Sequence, residues 1–81
     1  MAGNGCIDEG EATAIVLQCA GVSGLDLNTK LGDVFPDDVS RKGFCGCVFD
    51  AAYAQDPKIT SGQIPCSPDT TFAQVIDSIS C

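Results

Sequence analysis

Apolar side chains recur at helical spacing in three segments of the chain, with polar residues between them. The first stripe comprises Ala12, Ile15, Val16 and Cys19, at positions i, i+3, i+4 and i+7. This spacing is typical of a helix with one buried face. Carboxylates stand at its start, where they complement the helix dipole, and Gly21 follows it as a residue that readily ends helices. We predict a helix over residues 9–20.

The second stripe lies in the middle of the chain and comprises Phe44, Val48, Ala51, Ala52 and Tyr53. Asp37-Asp38 supplies a cap for its start, and Asp56-Pro57 supplies an end. We predict a helix over residues 38–55. We also expect a break near Gly43, because glycine inside a helix costs about 1 kcal/mol relative to alanine.

The third stripe comprises Phe72, Val75, Ile76 and Ile79. Ser67-Pro68 precedes it, and serine suits the N-cap while proline suits the first helical position. We therefore predict a last helix over residues 68–80.

The segments between the stripes carry weaker patterns. Residues 1–7 contain glycines and predict a loose arm, with regular structure starting near Asp8. Thr29 is a candidate cap for a short helical turn before Pro36, and residues 57–65 predict a loop. Three helical stripes without sustained strand-like alternation predict an all-α bundle of about four helices.

The length of 81 residues fits a single domain spanning residues 1–81. Leucine, isoleucine, valine and phenylalanine make up about a quarter of the chain, too many for a disordered polypeptide. A domain of this size buries only about 60% of its unfolded surface, so its core alone is marginally stabilising. The bundle therefore needs covalent cross-links.

Six cysteines provide them, and they predict three disulfides. A metal site is not expected, because histidine is absent and no Cys-x2-Cys pair occurs. Helix geometry excludes three pairings, namely Cys6–Cys19, Cys45–Cys47 and Cys66–Cys81. In every connectivity that remains, the two cysteines of the middle helix reach different elements and pin that helix on two sides.

The cysteine order carries two resemblances. The six cysteines, with helices between them and a proline beside the fifth, are ordered as in elicitins, which are secreted all-α sterol carriers. Cys45-Gly46-Cys47 is similar to the Cys-x-Cys of plant lipid-transfer proteins. The elicitin order implies the bridges Cys6–Cys66, Cys19–Cys47 and Cys45–Cys81. The lipid-transfer order implies the bridges Cys6–Cys47, Cys19–Cys66 and Cys45–Cys81. Both orders imply Cys45–Cys81, which is the bridge we expect.

The formal net charge of −7, without any cluster of bases, argues against nucleic-acid binding and against attraction to anionic membranes. No apolar run is long enough to predict a transmembrane segment. Together with the expected disulfides, this predicts a secreted, extracellular protein whose mature form carries a start methionine.

Catalytic chemistry is not expected, because the chain has no histidine, the usual general base of nucleophilic catalysis. Asp33, Asp37 and Asp38 are close in sequence, but we interpret them as solvated helix caps and not as an acid–base pair or a calcium site. We predict a non-enzymatic protein without cofactor or metal.

Binding remains as the predicted activity. Nine apolar residues are candidates for the core or for a ligand cavity between the helices: Ile15, Val16, Phe44, Val48, Phe49, Phe72, Val75, Ile76 and Ile79. Four others are candidates for surface contact: Leu25, Leu27, Phe35 and Tyr53. We favour an effector or signalling protein that contacts a receptor or host protein. The alternative is a carrier of a sterol or fatty acid, elicitin-like or lipid-transfer-like, which requires a cavity of about 300 Å³ or more.

Overall fold

Four α-helices and one short 3-10 helix make up the fold in the computed structural model, which describes residues 5–81. The α-helices are α1 (Glu9–Ala20), α2 (Leu31–Val34), α3 (Asp38–Gln55) and α4 (Phe72–Ile79). The 3-10 helix spans Ser61–Gln63. No β-strand occurs among the described residues. The predicted all-α bundle of about four helices is confirmed.

Helix α1 has the bounds that its stripe predicts. The carboxylate of Asp8 caps it by accepting a hydrogen bond from the Gly10 N–H at 3.1 Å. Gly21 ends it with φ at 76°, in the left-handed region where a side chain would be strained. Within described residues 5–81, no helix combines the length and the apolar character needed to cross a bilayer.

Helix α3 also has its predicted bounds, but the expected break near Gly43 is wrong. The helix is continuous from Asp38 to Gln55. Phe44 and Val48, which lie one helical turn apart, are both buried in the core. Their packing outweighs the intrinsic cost of the glycine. Asp37 caps the helix by accepting the Ser40 N–H at 2.9 Å, and this hydrogen bond lowers the pKa of the Asp37 carboxyl.

Helix α4 begins four residues later than predicted. Ser67 and Thr70 close a separate turn, in which the Thr70 N–H donates to the Ser67 carbonyl at 3.0 Å. Thr71 is the N-cap, and its side chain accepts the Gln74 N–H while the Gln74 side chain accepts the Thr71 N–H. This reciprocal pair is a capping box. It satisfies the N–H groups of Thr71 and Gln74 at the start of the helix, whereas Ser67 and Thr70 use their side chains to hold the preceding turn.

The position of this cap predicts that replacing Thr71 by alanine costs more stability than replacing Ser67. We expect Thr71→Ala to lower the free energy of unfolding by about 1 kcal/mol, because it removes an N-cap acceptor. Ser67→Ala is the matched control, and we expect about half that loss, since the Ser67 hydroxyl accepts a hydrogen bond only from the exposed Asp69 N–H. Urea titration followed by circular dichroism measures both. A larger loss for Ser67→Ala would place the start of α4 at Pro68.

Helix α2 is short, and its backbone is held by the approach to α4. Its N-cap is Lys30 and not the expected Thr29. The Leu31 N–H donates to the Thr70 carbonyl at 2.7 Å, and the Phe72 N–H donates to the Thr29 carbonyl at 3.1 Å. Hydrogen bonds to the residues at the start of α4 therefore fix where α2 starts. A local cap at Thr29 does not.

The segment before α1 belongs to the core from Ile7 onward, contrary to the loose arm expected for residues 1–7. The Ile7 N–H donates to the Ile79 carbonyl at 2.6 Å, and the Cys81 N–H donates to the Ile7 carbonyl at 3.0 Å. The Ile7 side chain is buried. Residues 1–4 of the expected arm lie outside the described residues.

Residues 57–65 are also more ordered than the predicted loop. They contain the 3-10 helix, and Ile59 and Ile64 on either side of it are buried in the core. Gln63 holds the segment in place, since its side-chain amide donates to the carbonyls of Gly5 (3.1 Å) and Ser78 (2.9 Å). The segment therefore forms a fixed wall of the domain.

The described cysteines are all paired, as predicted. The bridges are Cys6–Cys81, Cys19–Cys47 and Cys45–Cys66, with Cα–Cα distances of 5.0, 5.7 and 6.2 Å. None of the pairings that helix geometry excludes occurs. As expected, α3 is pinned on two sides, by Cys47 to α1 and by Cys45 to the segment before α4.

The expected bridge Cys45–Cys81 is wrong. The hydrogen bonds between Ile7 and the end of α4 bring Cys6 beside Cys81, so Cys81 is not available to Cys45. Of the bridges that the two resemblances imply, only Cys19–Cys47 is present, and it belongs to the elicitin order.

Candidate binding surface

The apolar residues that the sequence assigns to core or cavity lie almost entirely in one packed core. Eight of the nine are buried: Ile15, Val16, Phe44, Val48, Phe72, Val75, Ile76 and Ile79. The ninth, Phe49, is half-buried and packs against the same cluster. Helix α1 packs against both α3 and α4. The three stripes therefore meet at the centre of the molecule.

An aromatic cluster fills one end of this core. The ring of Phe44 stacks on Phe35 with centroids 5.0 Å apart, and it meets the edge of Phe72 at 5.4 Å. Such geometries are favourable for aromatic pairs. Phe72 is fully buried between its two neighbours.

The side chains at the centre of the core have no exposed area for an interior ligand to contact. Any side chain that lined a cavity large enough for a sterol would expose area to that cavity. Five side chains contributed by α1, α3 and α4 expose none: Val16, Val48, Phe72, Val75 and Ile79. At these positions the core is filled by protein atoms.

The four residues expected at the surface differ in exposure. Leu25, Leu27 and Phe35 are half-buried and pack against the core, so the expectation that they stand exposed is corrected. Tyr53 is 48% exposed on α3. Val39, which the stripe pattern did not single out, is 81% exposed on the same helix.

A pocket of about 230 Å³ opens on the surface beside α3. We call it the α3 pocket. It is lined by Lys42, Gly46 and Phe49 of α3, by Ser61 and Ile64 of the facing segment, and by the Cys45–Cys66 bridge that joins the two. It lies outside the core, whereas the carrier alternative expects a ligand cavity between the helices.

Most of the pocket lining is apolar. Phe49 and Ile64 provide the largest apolar side chains, and Phe49 leads outward to Tyr53, whose ring centroid is 5.5 Å away. Lys42 and Ser61 provide polar groups. The arrangement can hold an apolar group and place a cation next to it.

Arg41 holds one wall of the α3 pocket in position, although no signal in the sequence singles it out. Its side chain is buried, with the whole residue 6% exposed. Its Nε donates to the Cys66 carbonyl at 3.3 Å and its Nη1 donates to the Phe35 carbonyl at 3.2 Å, while Nη2 pairs with the Asp38 carboxylate. The guanidinium thus ties the backbone at Cys66 to the first turn of α3.

The three aspartates that we interpret as helix caps have different surroundings in the structure. Asp37 caps α3, and Asp38 pairs with Arg41. Asp33 lies exposed in α2. Among residues 5–81, no group of three or more cysteine, aspartate or glutamate side chains is placed to hold a metal ion.

Comparison of the chain with protein-family models, with curated proteins and with solved structures finds no match.

Proposed function

We propose that this protein is a secreted, non-enzymatic recognition domain that acts as an effector or signalling protein through contact with another protein. The observation that carries the proposal is the filled core. Because most of the stripe residues are buried in the core, the apolar groups left for binding are those on the surface, such as Tyr53 and Val39.

The disulfides support an extracellular setting. Three bridges in a chain of this length are typical of domains from oxidising compartments, where a small core needs covalent support. They also keep the loops between helices in fixed positions. A preorganised surface of this kind lowers the entropic cost of binding a partner.

The alternative of a sterol or fatty-acid carrier is disfavoured by volume and by position. The α3 pocket, at about 230 Å³, is below the lower limit of about 300 Å³ for pockets that enclose small molecules. It opens on the surface, so a sterol there would leave much of its apolar area in water.

Two measurements on the natively disulfide-bonded protein test the proposal. In the first, the protein is titrated against a fluorescent sterol and a fluorescent fatty acid, and we expect no saturable binding. In the second, labelled protein is added to intact cells of its source organism and of species in contact with that organism. We expect saturable binding that unlabelled protein competes away and that prior protease treatment of the cells removes.

The control for the second measurement is the same protein after reduction and alkylation, which we expect not to bind. Saturable uptake of either lipid would contradict the proposal in favour of a carrier. Absence of competable binding, or binding that survives protease treatment of the cells, would contradict a protein receptor.

A further inference from the structure

The α3 pocket combines an apolar floor with a cation that no other part of the described molecule neutralises. The chain has four lysine and arginine residues. Lys30 pairs with Asp69 at 4.0 Å, and Arg41 is buried against Asp38. Lys42 and Lys58 have no ionic partner among residues 5–81, and of these two only Lys42 lines the pocket.

The charge of Lys42 stands out against a net charge of −7. A strongly acidic protein repels anionic groups over most of its surface. At the pocket, however, an anion meets a lysine at short range beside apolar surface. Complementary charge at one point of an interface sets the register and orientation of a partner.

We propose that the α3 pocket receives one bulky apolar side chain of a protein partner, and that a carboxylate next to that side chain on the partner pairs with Lys42. This inference rests on the proposed function, and it names the chemistry of the partner segment. Phe49, Ile64 and the Cys45–Cys66 bridge contact the inserted side chain. Lys42 selects an acidic neighbour over a basic one.

The surroundings of the pocket favour a protein side chain over a free small molecule. Binding energy at protein interfaces concentrates in a few anchor side chains that enter pockets near the centre, surrounded by contacts that exclude water. Tyr53 and Val39 extend apolar surface along α3 beyond the pocket, as such an interface needs. A small molecule in an open pocket of this volume would use neither residue.

Two glycines of α3 provide a matched pair of variants. Apart from its chain neighbours and the backbone of its own helix, a Cβ added at Gly46 or at Gly43 meets no atom within 4 Å, so both positions have room for the first atom of a side chain. Gly46 lines the pocket and Gly43 does not. Leucine at either position is expected to keep or raise the melting temperature, because leucine has a higher helix propensity than glycine.

The first test uses short blocked peptides and the native protein, followed by amide chemical shifts. The peptides carry a phenylalanine between two glutamates, a phenylalanine between two lysines, or an alanine between two glutamates. We expect the first to shift the signals of Gly46, Phe49 and Ile64, and to bind about five-fold more tightly than the second. The alanine peptide is expected to give no shifts. Raising the salt concentration is expected to narrow the difference between the first two.

The variants then assign the binding to the pocket. We expect Gly46→Leu to weaken the first peptide at least ten-fold, and Gly43→Leu to leave its affinity unchanged. Lys42→Glu is expected to reverse the preference between the acidic and basic peptides.

Three results would overturn the inference. The first is the absence of shifts at the pocket, and the second is equal binding of the first peptide by Gly46→Leu and Gly43→Leu. The third is that decanoate shifts the same signals and binds more tightly than the first peptide, which would identify a site for small amphiphiles.

Cell-surface binding separates this inference from the proposed function. If the native protein binds cells and Gly46→Leu binds them equally well, the pocket inference fails and the function stands. If the native protein does not bind cells although the peptide occupies the pocket, the function fails and the pocket chemistry stands.

Discussion

Replacing both Cys6 and Cys81 by alanine is expected to lower the free energy of unfolding by about 4 kcal/mol, more than the loss of either other bridge. The two cysteines are separated by 75 residues, so their bridge restricts the unfolded chain more than a short loop does. The bridge also holds the ends of the described chain where Ile7 pairs with Ile79. Urea unfolding under non-reducing conditions measures the loss.

The matched control replaces Cys45 and Cys66, which are separated by 21 residues. The same loop-entropy argument gives a smaller loss for this pair, about 3 kcal/mol. If this second variant were the less stable of the two, the stabilisation would come from local contacts at the bridge and not from its span. A Cys6/Cys81 variant as stable as the native protein would contradict the role given to this bridge.

Phe72→Ala is expected to cost 3–5 kcal/mol, roughly the range for truncating an aromatic residue in a filled core. Phe72 is fully buried, and its ring packs against both Phe44 and Phe35. The cavity left behind would lie beside the rings of Phe35 and Phe44, and the two disulfides that pin α3 limit how far that helix can move into it. Thermal and urea unfolding by near-ultraviolet circular dichroism measures the change.

Two companions keep this prediction testable if the alanine variant does not fold. Phe72→Leu keeps most of the volume and is expected to cost about 1–2 kcal/mol. Phe49→Ala truncates a half-buried ring at the α3 pocket and is expected to cost about 1 kcal/mol. Equal losses at Phe49 and Phe72 would show that the core is not filled around Phe72, and a carrier would regain support.

The parts of the fold that depend on neighbouring residues could be predicted from the sequence. Helices α1 and α3 have the predicted bounds, because the stripe, the caps at Asp8 and Asp37, and Gly21 all act within a few residues. The excluded cysteine pairings follow from the same local geometry, since the length of a helix fixes how far apart its ends lie.

Competing local patterns and contacts between distant segments account for the errors. Ser67-Pro68 is a good helix start in isolation, but Thr71 and Gln74 form a better one, and the turn at Ser67 closes on itself. The pairing of Cys81 depends on which segment lies beside the end of α4. Ile7 occupies that place through backbone hydrogen bonds, which carry no sequence signature.

The candidate site could not be predicted from the sequence, because it too depends on contacts between distant segments. The α3 pocket joins Lys42 and Phe49 to Ile64, which lies in a segment predicted to be a loop. Arg41 holds the wall through carbonyl groups of Phe35 and Cys66, and any residue type supplies a carbonyl. The stripe pattern identified the apolar residues of the core but not the surface pocket outside it.

The three bridges hold the helices around the filled core and fix the surface that is left for recognition. Digestion of the native protein with a protease that cleaves before aspartate separates the cysteines into segments 1–7, 8–25, 38–49, 56–68 and 77–81. Mass spectrometry without reduction is expected to find 1–7 joined to 77–81 alone, and 38–49 joined to both 8–25 and 56–68. Fragmentation between Cys45 and Cys47 is expected to place 56–68 on Cys45. A species joining 38–49 to 77–81 would contradict this bridge pattern.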